Sequence, residues 1–200
     1  MIPMVTSLPA GLDNPLWRYA LAFYRQPGVA PACLALQDRL GVDVCLLIYA
    51  LYAAQSQRVM NAAALTQADQ GVQDWRKLVV LPLRQIRQSM KSGVSEMAPD
   101  LNNWVREQVK VMEVNAEQVA LAYLNTQILC LPQSKGFQDQ GLHEAELAMR
   151  CVLTHFAELN GHSNDTLNMT DVRIAAELLV NESLGLQQFV NDNINHRSKD

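Results

Sequence analysis

Trp17-Arg18-Tyr19-Ala20-Leu21-Ala22-Phe23-Tyr24, Cys33-Leu34-Ala35-Leu36-Gln37-Asp38-Arg39 and Val44-Cys45-Leu46-Leu47-Ile48-Tyr49-Ala50-Leu51-Tyr52-Ala53-Ala54 are three apolar-rich runs. They are separated by Arg25-Gln26-Pro27-Gly28 and by Gly41-Val42-Asp43. The separators are helix punctuation. Asn14-Pro15 supplies a capping side chain followed by proline at the first helical position, where its missing N–H costs nothing. Trp17, Ala20, Leu21 and Tyr24 then share one face at helical spacing. Pro27-Gly28 stops this helix, Pro31 can start a second with Leu34 inside, and Gly41 stands just past its end. Asp43 is placed to cap a third helix, which runs to about Ala54. That helix is apolar all round, so it must lie at the centre, surrounded by the others.

The same grammar extends outward. Gln55 to Asp74 reads as a short helix and a connection. From Trp75 the steps of four, four, three and four through Val79, Leu83, Ile86 and Met90 mark a helix that ends at Ser92-Gly93. Pro82 lies inside it and should kink or divide it, because it removes a donor and clashes one turn back. Asp100 can cap the next helix, whose stripe of Leu101, Val105, Val109, Met112, Ala116, Val119 and Tyr123 either continues to Leu131 or breaks near Asn115. Pro132 to Gly141 is a loop. Leu142, Ala145, Met149, Val152, Phe156 and Leu159 form a further stripe, stopped by Gly161. Thr170 or Asp171 opens a last helix through Leu179, with a short segment near Leu186 to Val190. No run alternates long enough for a strand. The expectation is an all-α, single-domain bundle over residues 1–200, with about seven to eight helices around 44–54 and with 1–13 and 191–200 frayed.

Composition bounds the function. An apolar fraction of 49 % and a charged fraction of 18 % describe a globular chain. The net charge of −4 implies no general attraction to nucleic acid. The charge is uneven: residues 75–110 hold seven Lys or Arg against three Asp or Glu, and 111–200 hold five against twelve. The longest apolar run, Val44 to Ala54, is short of the roughly 20 residues a membrane span requires, so no membrane is expected. Cys33, Cys45, Cys130 and Cys151 include no Cys-x-x-Cys pair. All sit in apolar surroundings, the pattern of small core residues in a reducing compartment, and the cytoplasm is the expected location.

One constellation stands out. Arg76, Arg84, Arg87 and Lys91 form a basic row beside the apolar stripe of their helix, with Trp75 at its edge and Lys77 nearby. Like charges at these spacings repel by a few tenths of a kcal/mol per pair. Something must offset that: either acids of the same chain, with Asp38, Asp43 or the glutamates of later helices as counter-ions, or an acidic partner. Asp38 and Asp43 flank the Gly41 turn and read as structural, Asp43 as a cap and Asp38 as an ion-pair partner. His155, Glu158, His162 and Asp165 could be considered as metal ligands, but they depart from zinc spacings, and neither metal nor cofactor is expected. The chain has no Gly-x-Ser-x-Gly, phosphate loop or dinucleotide fingerprint. The aromatics Trp17, Tyr19, Phe23, Tyr24, Tyr49 and Tyr52 read as core.

Trp17-x-x-x-Leu21-x-x-Tyr24-x-x-Pro27-Gly28-Val29, then Leu36-Gln37-Asp38 and Gly41-Val42-Asp43-Val44, and later Trp75-Arg76 and Pro82-Leu83-Arg84-x-x-Arg87, resemble an uncharacterised, mainly proteobacterial family catalogued as a domain of unknown function. The resemblance covers roughly residues 14–92. It implies a small cytoplasmic helical protein and carries over no activity. A weaker similarity is to the all-helical isoprenoid synthases of the squalene and phytoene type, whose Asp-x-x-x-Asp magnesium motifs are missing here. The leading expectation is a non-enzymatic interaction or regulatory factor, with Trp75, Arg76, Arg84, Arg87 and Lys91 contacting an acidic protein surface. The alternative is a helical protein or enzyme in which the same arginines grip an anionic small molecule. A cavity above roughly 300 Å³ containing Arg84 or Arg87 favours the second. Guanidinium groups already held by carboxylates of the same chain count against binding through the row and leave a compact bundle of unknown purpose.

Overall fold

Asp43 shows how local chemistry starts the central helix. Its carboxylate accepts the Leu46 N–H at 3.0 Å and so caps α3 (Val44–Gln55). The computed structural model describes residues 9–92, 98–134 and 141–196. Every residue of α3 from Leu46 to Gln55 is buried, as its all-round apolarity requires. Asn14 caps α1 (Pro15–Tyr24) through the Trp17 N–H at 2.9 Å, as expected. Gly28 and Gly41, both at positive φ, bracket α2 (Val29–Leu40), so the second helix begins at the glycine rather than at Pro31.

The buried faces of these helices differ in part from expectation. In α1 the inward side carries Leu16, Tyr19, Ala20 and Phe23, while Leu21 and Tyr24 are exposed. Tyr19 stacks on Phe23 and meets Tyr52, and this aromatic pairing turns the helix one position from the face that Trp17 and Leu21 suggested. Leu34 is exposed as well, because α2 is packed through Val29, Ala32, Cys33, Leu36 and Leu40. The cysteines are free. Cys33 is buried, Cys45 and Cys151 are partly so, and Cys130 is exposed, so it is not the core residue it was expected to be.

α4 (Ala62–Trp75) runs without a break into a π-helical turn (Arg76–Val80) and then α5 (Leu81–Ser89). The expected connection is residues 56–61, and the expected short helix is 14 residues long and continuous with the next. Pro82 does not divide it. The wider turn immediately before the proline absorbs the missing donor and the clash one turn back. α6 (Pro99–Gln127) spans 29 residues with no break at Asn115, and Asp100 lies in its first turn rather than at its cap. α7 (Gly141–Leu159), α8 (Asn164–Leu167), α9 (Thr170–Leu184) and α10 (Gln187–His196) complete the chain, α10 extending into the region expected to fray. Residues 1–8, 197–200, Gly93 and the middle of the Pro132–Gly141 loop lie outside the described residues.

Among the described residues the architecture is all-α, one bundle with α3 at its centre. α7 lies along α3 through Ala145, Ala148, Met149, Val152 and Phe156, and α6 and α9 close other sides. No described helix is long and apolar enough to cross a membrane. α5 and the first half of α6 form an antiparallel hairpin at the edge of this body. Trp75 meets Ala116, Arg84 and Arg87 meet Glu113, and Met90 meets Asn102, so the order of one helix is reversed in the other. α5 buries none of its residues. Charge and hydrogen bonding hold the middle of the hairpin, with Val80 and Met90 buried on either side of α5.

Candidate functional site: an arginine-lined cleft

The π-helical turn aims Arg76 into the bundle. Its two terminal nitrogens reach Asp43 at 3.1 Å and Asp69 of α4 at 2.7 Å, and its guanidinium lies 5.9 Å over the Phe156 ring. Asp69 is buried, and its other carboxylate oxygen meets His155 Nε2 of α7 at 2.9 Å. Four side chains from four segments thus form one chain of contacts: Asp43, Arg76, Asp69, His155.

Two turns on, Arg84 spends its fork on three acceptors. Nε donates to Glu113 at 2.9 Å, Nη1 to Gln37 at 2.7 Å and Nη2 to Glu117 at 2.7 Å. Arg87 donates to both oxygens of Glu113. Burial alone would lower the pKa of Arg84, but the carboxylates around it raise it above the ordinary value. Glu113 is buried, which pushes its carboxyl up, yet hydrogen bonds from Arg87 and Arg84 bring it below the usual carboxylate value. Glu117 goes the other way. Burial raises it, and Arg84 compensates only in part against the neighbouring Glu113 and Asp43.

The basic row is therefore real as a row but does not stand free. Arg76, Arg84 and Arg87 are each held by carboxylates of their own chain, because the carboxylates of Asp43, Asp69, Glu113 and Glu117 fold against them. Lys91 is exposed, with no ion pair among the described residues. Trp75 is at the edge, as expected, but its indole N–H is committed to the Ala116 carbonyl at 2.9 Å. Asp43 is the expected cap. Asp38 is exposed and forms no ion pair among the described residues; its neighbour Arg39 pairs instead with Asp171 at 2.8 Å. His155 and His162 join no group of metal-ligating side chains among the described residues.

Between these elements lies a cleft of about 540 Å³. Its charged lining is Arg76, Lys77 and Arg84 against Asp43 and Glu117. Gln37, Gln85, Gln88 and Asn160 add amides, and Val42, Val80 and Phe156 give it apolar wall. Cys45 is also in the lining, but burial pushes its thiol well above the usual range, so it is held as the neutral thiol. Sequence reasoning identified Arg76, Arg84 and Asp43, offered the glutamates of later helices as counter-ions without naming Glu113 or Glu117, and missed Gln37 and Asp69. Glu117 could have been found, one helical turn beyond Glu113 on the stripe facing the row. Nothing in the sequence near Asp69 marks it as the partner of residues 76 and 155.

Residues 15–124 match a family model described as a protein of unknown function (DUF2390). This span contains the cleft's arginines, Asp43, Asp69 and both glutamates, and the resemblance read from the motifs of residues 14–92 reaches further than those motifs did. No curated protein and no solved structure matches the chain.

Proposed function

The chain belongs to the DUF2390 family, and from that premise we propose that this member is a binding protein that holds a small anionic molecule in the cleft between α3, α5, α6 and α7. The observation that carries the reading is the cavity itself: about 540 Å³, with Arg84 in its wall. That is the size of a small-molecule site rather than a packing defect. Its lining holds three cations against two carboxylates. Arg84 has donated three of its five N–H groups to the described acceptors, so its planar fork still has hydrogens for a carboxylate or phosphate. The apolar wall around Phe156 suits a ligand with a hydrocarbon or ring body. The leading expectation, a basic helix face offered to an acidic protein, is not favoured, because its arginines are largely buried rather than turned outward.

Calorimetric titration with phenyl phosphate, benzoate and benzyl alcohol tests this. The two anions should bind saturably and benzyl alcohol should not. Lys77→Gln, at the exposed rim, and Arg84→Lys, which keeps the charge and loses the fork, should each weaken binding by about tenfold, the worth of one charged hydrogen bond. Binding that ignores both substitutions, or no binding of either anion, overturns the proposal.

A further inference from the structure

Among the described residues, α6 has a second face that the fold leaves uncovered. Asn102, Glu113, Ala116 and Ala120 turn into the chain, whereas Leu101, Val105, Gln108, Met112, Asn115 and Val119 are all exposed. Their spacing is four, three, four, three and four, which is the seam of a coiled coil rather than the scatter of an ordinary solvated face. Trp104 and Val111, seven apart, flank the seam and are 66 % and 54 % exposed. A soluble surface does not place such residues in register without a helix to meet them.

We infer that this seam pairs with the same seam of a second copy of the chain, forming a helix-to-helix dimer through α6. Two observations favour a second copy over a different partner. First, Gln108 and Asn115 occupy seam positions seven residues apart. In a parallel, in-register pairing each amide meets its own equivalent and hydrogen-bonds to it, whereas a purely apolar partner helix would bury it without a partner, so the pairing is parallel. Second, the positions that flank the seam, Asn102, Val109 and Ala116 on one side and Trp104, Val111 and Gln118 on the other, carry no charge. Two copies of a chain with net charge −4 can therefore approach at this place without local repulsion. The seam from Leu101 to Val119 is about 27 Å long, a short contact for an interface of standard size. The pairing is accordingly weak, in the micromolar range, and reversible. It is independent of the cleft, whose arginines lie on the other side of the hairpin's contact.

Sedimentation velocity of the full chain between about 1 and 200 µM reads the result directly. The expected outcome is a monomer at the low end passing into a dimer at the high end. Val105→Glu combined with Met112→Glu, both on exposed positions, should leave a monomer throughout, with an unchanged thermal midpoint at low protein concentration. A wild-type chain that stays monomeric to 200 µM overturns the inference. So does a double variant that dimerises as the wild type does. Phenyl phosphate binding by the monomeric variant separates the two readings, since loss of the dimer should leave it intact.

Discussion

Glu113 and Glu117 lie one turn apart on α6 and share the guanidinium of Arg84, yet their roles in stability are opposite. The folded-state pKa of Glu113 is lowered from its ordinary 4.5. Its contribution is therefore present above that pH and is lost as pH falls through and below it. Glu117 is raised, first by burial, so its charge costs stability at neutral pH and the cost disappears as it takes up a proton in mild acid. Glu113→Gln should thus cost about 2 kcal/mol at pH 7, discounted because both guanidinium groups remain partly in water. Glu117→Gln should cost much less. Chemical denaturation at pH 7 and pH 4 checks both: the penalty of the first variant should shrink at the lower pH. Gly71 is a second point where one atom matters. A Cβ there would run into the hydroxyl and ring of Tyr123. Gly71→Ala gains about 1 kcal/mol of helix propensity but should lose about 1–3 kcal/mol to overpacking. The thermal midpoint should fall, and adding Tyr123→Ala should recover part of the loss beyond additivity.

At the scale of elements, helices were legible wherever their ends carried a cap or a stop. Asn14, Asp43, Gly41 and Gly161 each act as their chemistry implies, and the central position of α3 follows from apolarity on every side. The direction of a partly apolar helix was less legible. The stripe through Leu101, Val105 and Met112 faces water, and the stripe through Ile86 does so only in part, with Trp75 and Ile86 exposed and Met90 buried, because a period of 3.6 shows that residues share a face without showing what covers it. The cleft was half legible for a related reason. A row of arginines is visible in sequence, but the carboxylates that meet it sit 29 and 33 residues from Arg84, and only the hairpin brings them together. That hairpin carries its own prediction. α5 buries no residue and is held through Arg84, Arg87 and Met90, so it should open locally well below the free energy of global unfolding. In hydrogen exchange its amides should exchange first and those of α3 last. About 1 M salt, which shortens the screening length to about 3 Å, should speed α5 while leaving α3 nearly unchanged.

At the scale of the whole molecule, the family match and the folding unit do not coincide. The matched span ends at Leu124, within α6, and omits α7 and α9. Yet Ala145, Ala148, Met149, Val152 and Phe156 of α7 and Val172 and Leu179 of α9 belong to the same buried core as Leu46, Leu47 and Leu51 of α3. A fragment of residues 1–124 would uncover the α7 side of α3, and with it Arg76 would lose Phe156 and Asp69 would lose His155. Uncovering a single large core side chain is worth about 1.5–3 kcal/mol, and several are uncovered together, against a total stability of about 5–15 kcal/mol for a domain of ordinary size. The fragment should keep helical far-ultraviolet dichroism but lose the cooperative melt and the fixed near-ultraviolet signal of its tryptophans and tyrosines. The full chain should show both. A cooperative transition in the fragment would mean that the matched span folds by itself, with α7 to α10 an addition to a self-sufficient bundle. Its absence would mean that the later helices, although outside the matched span, close the core on which the cleft is built.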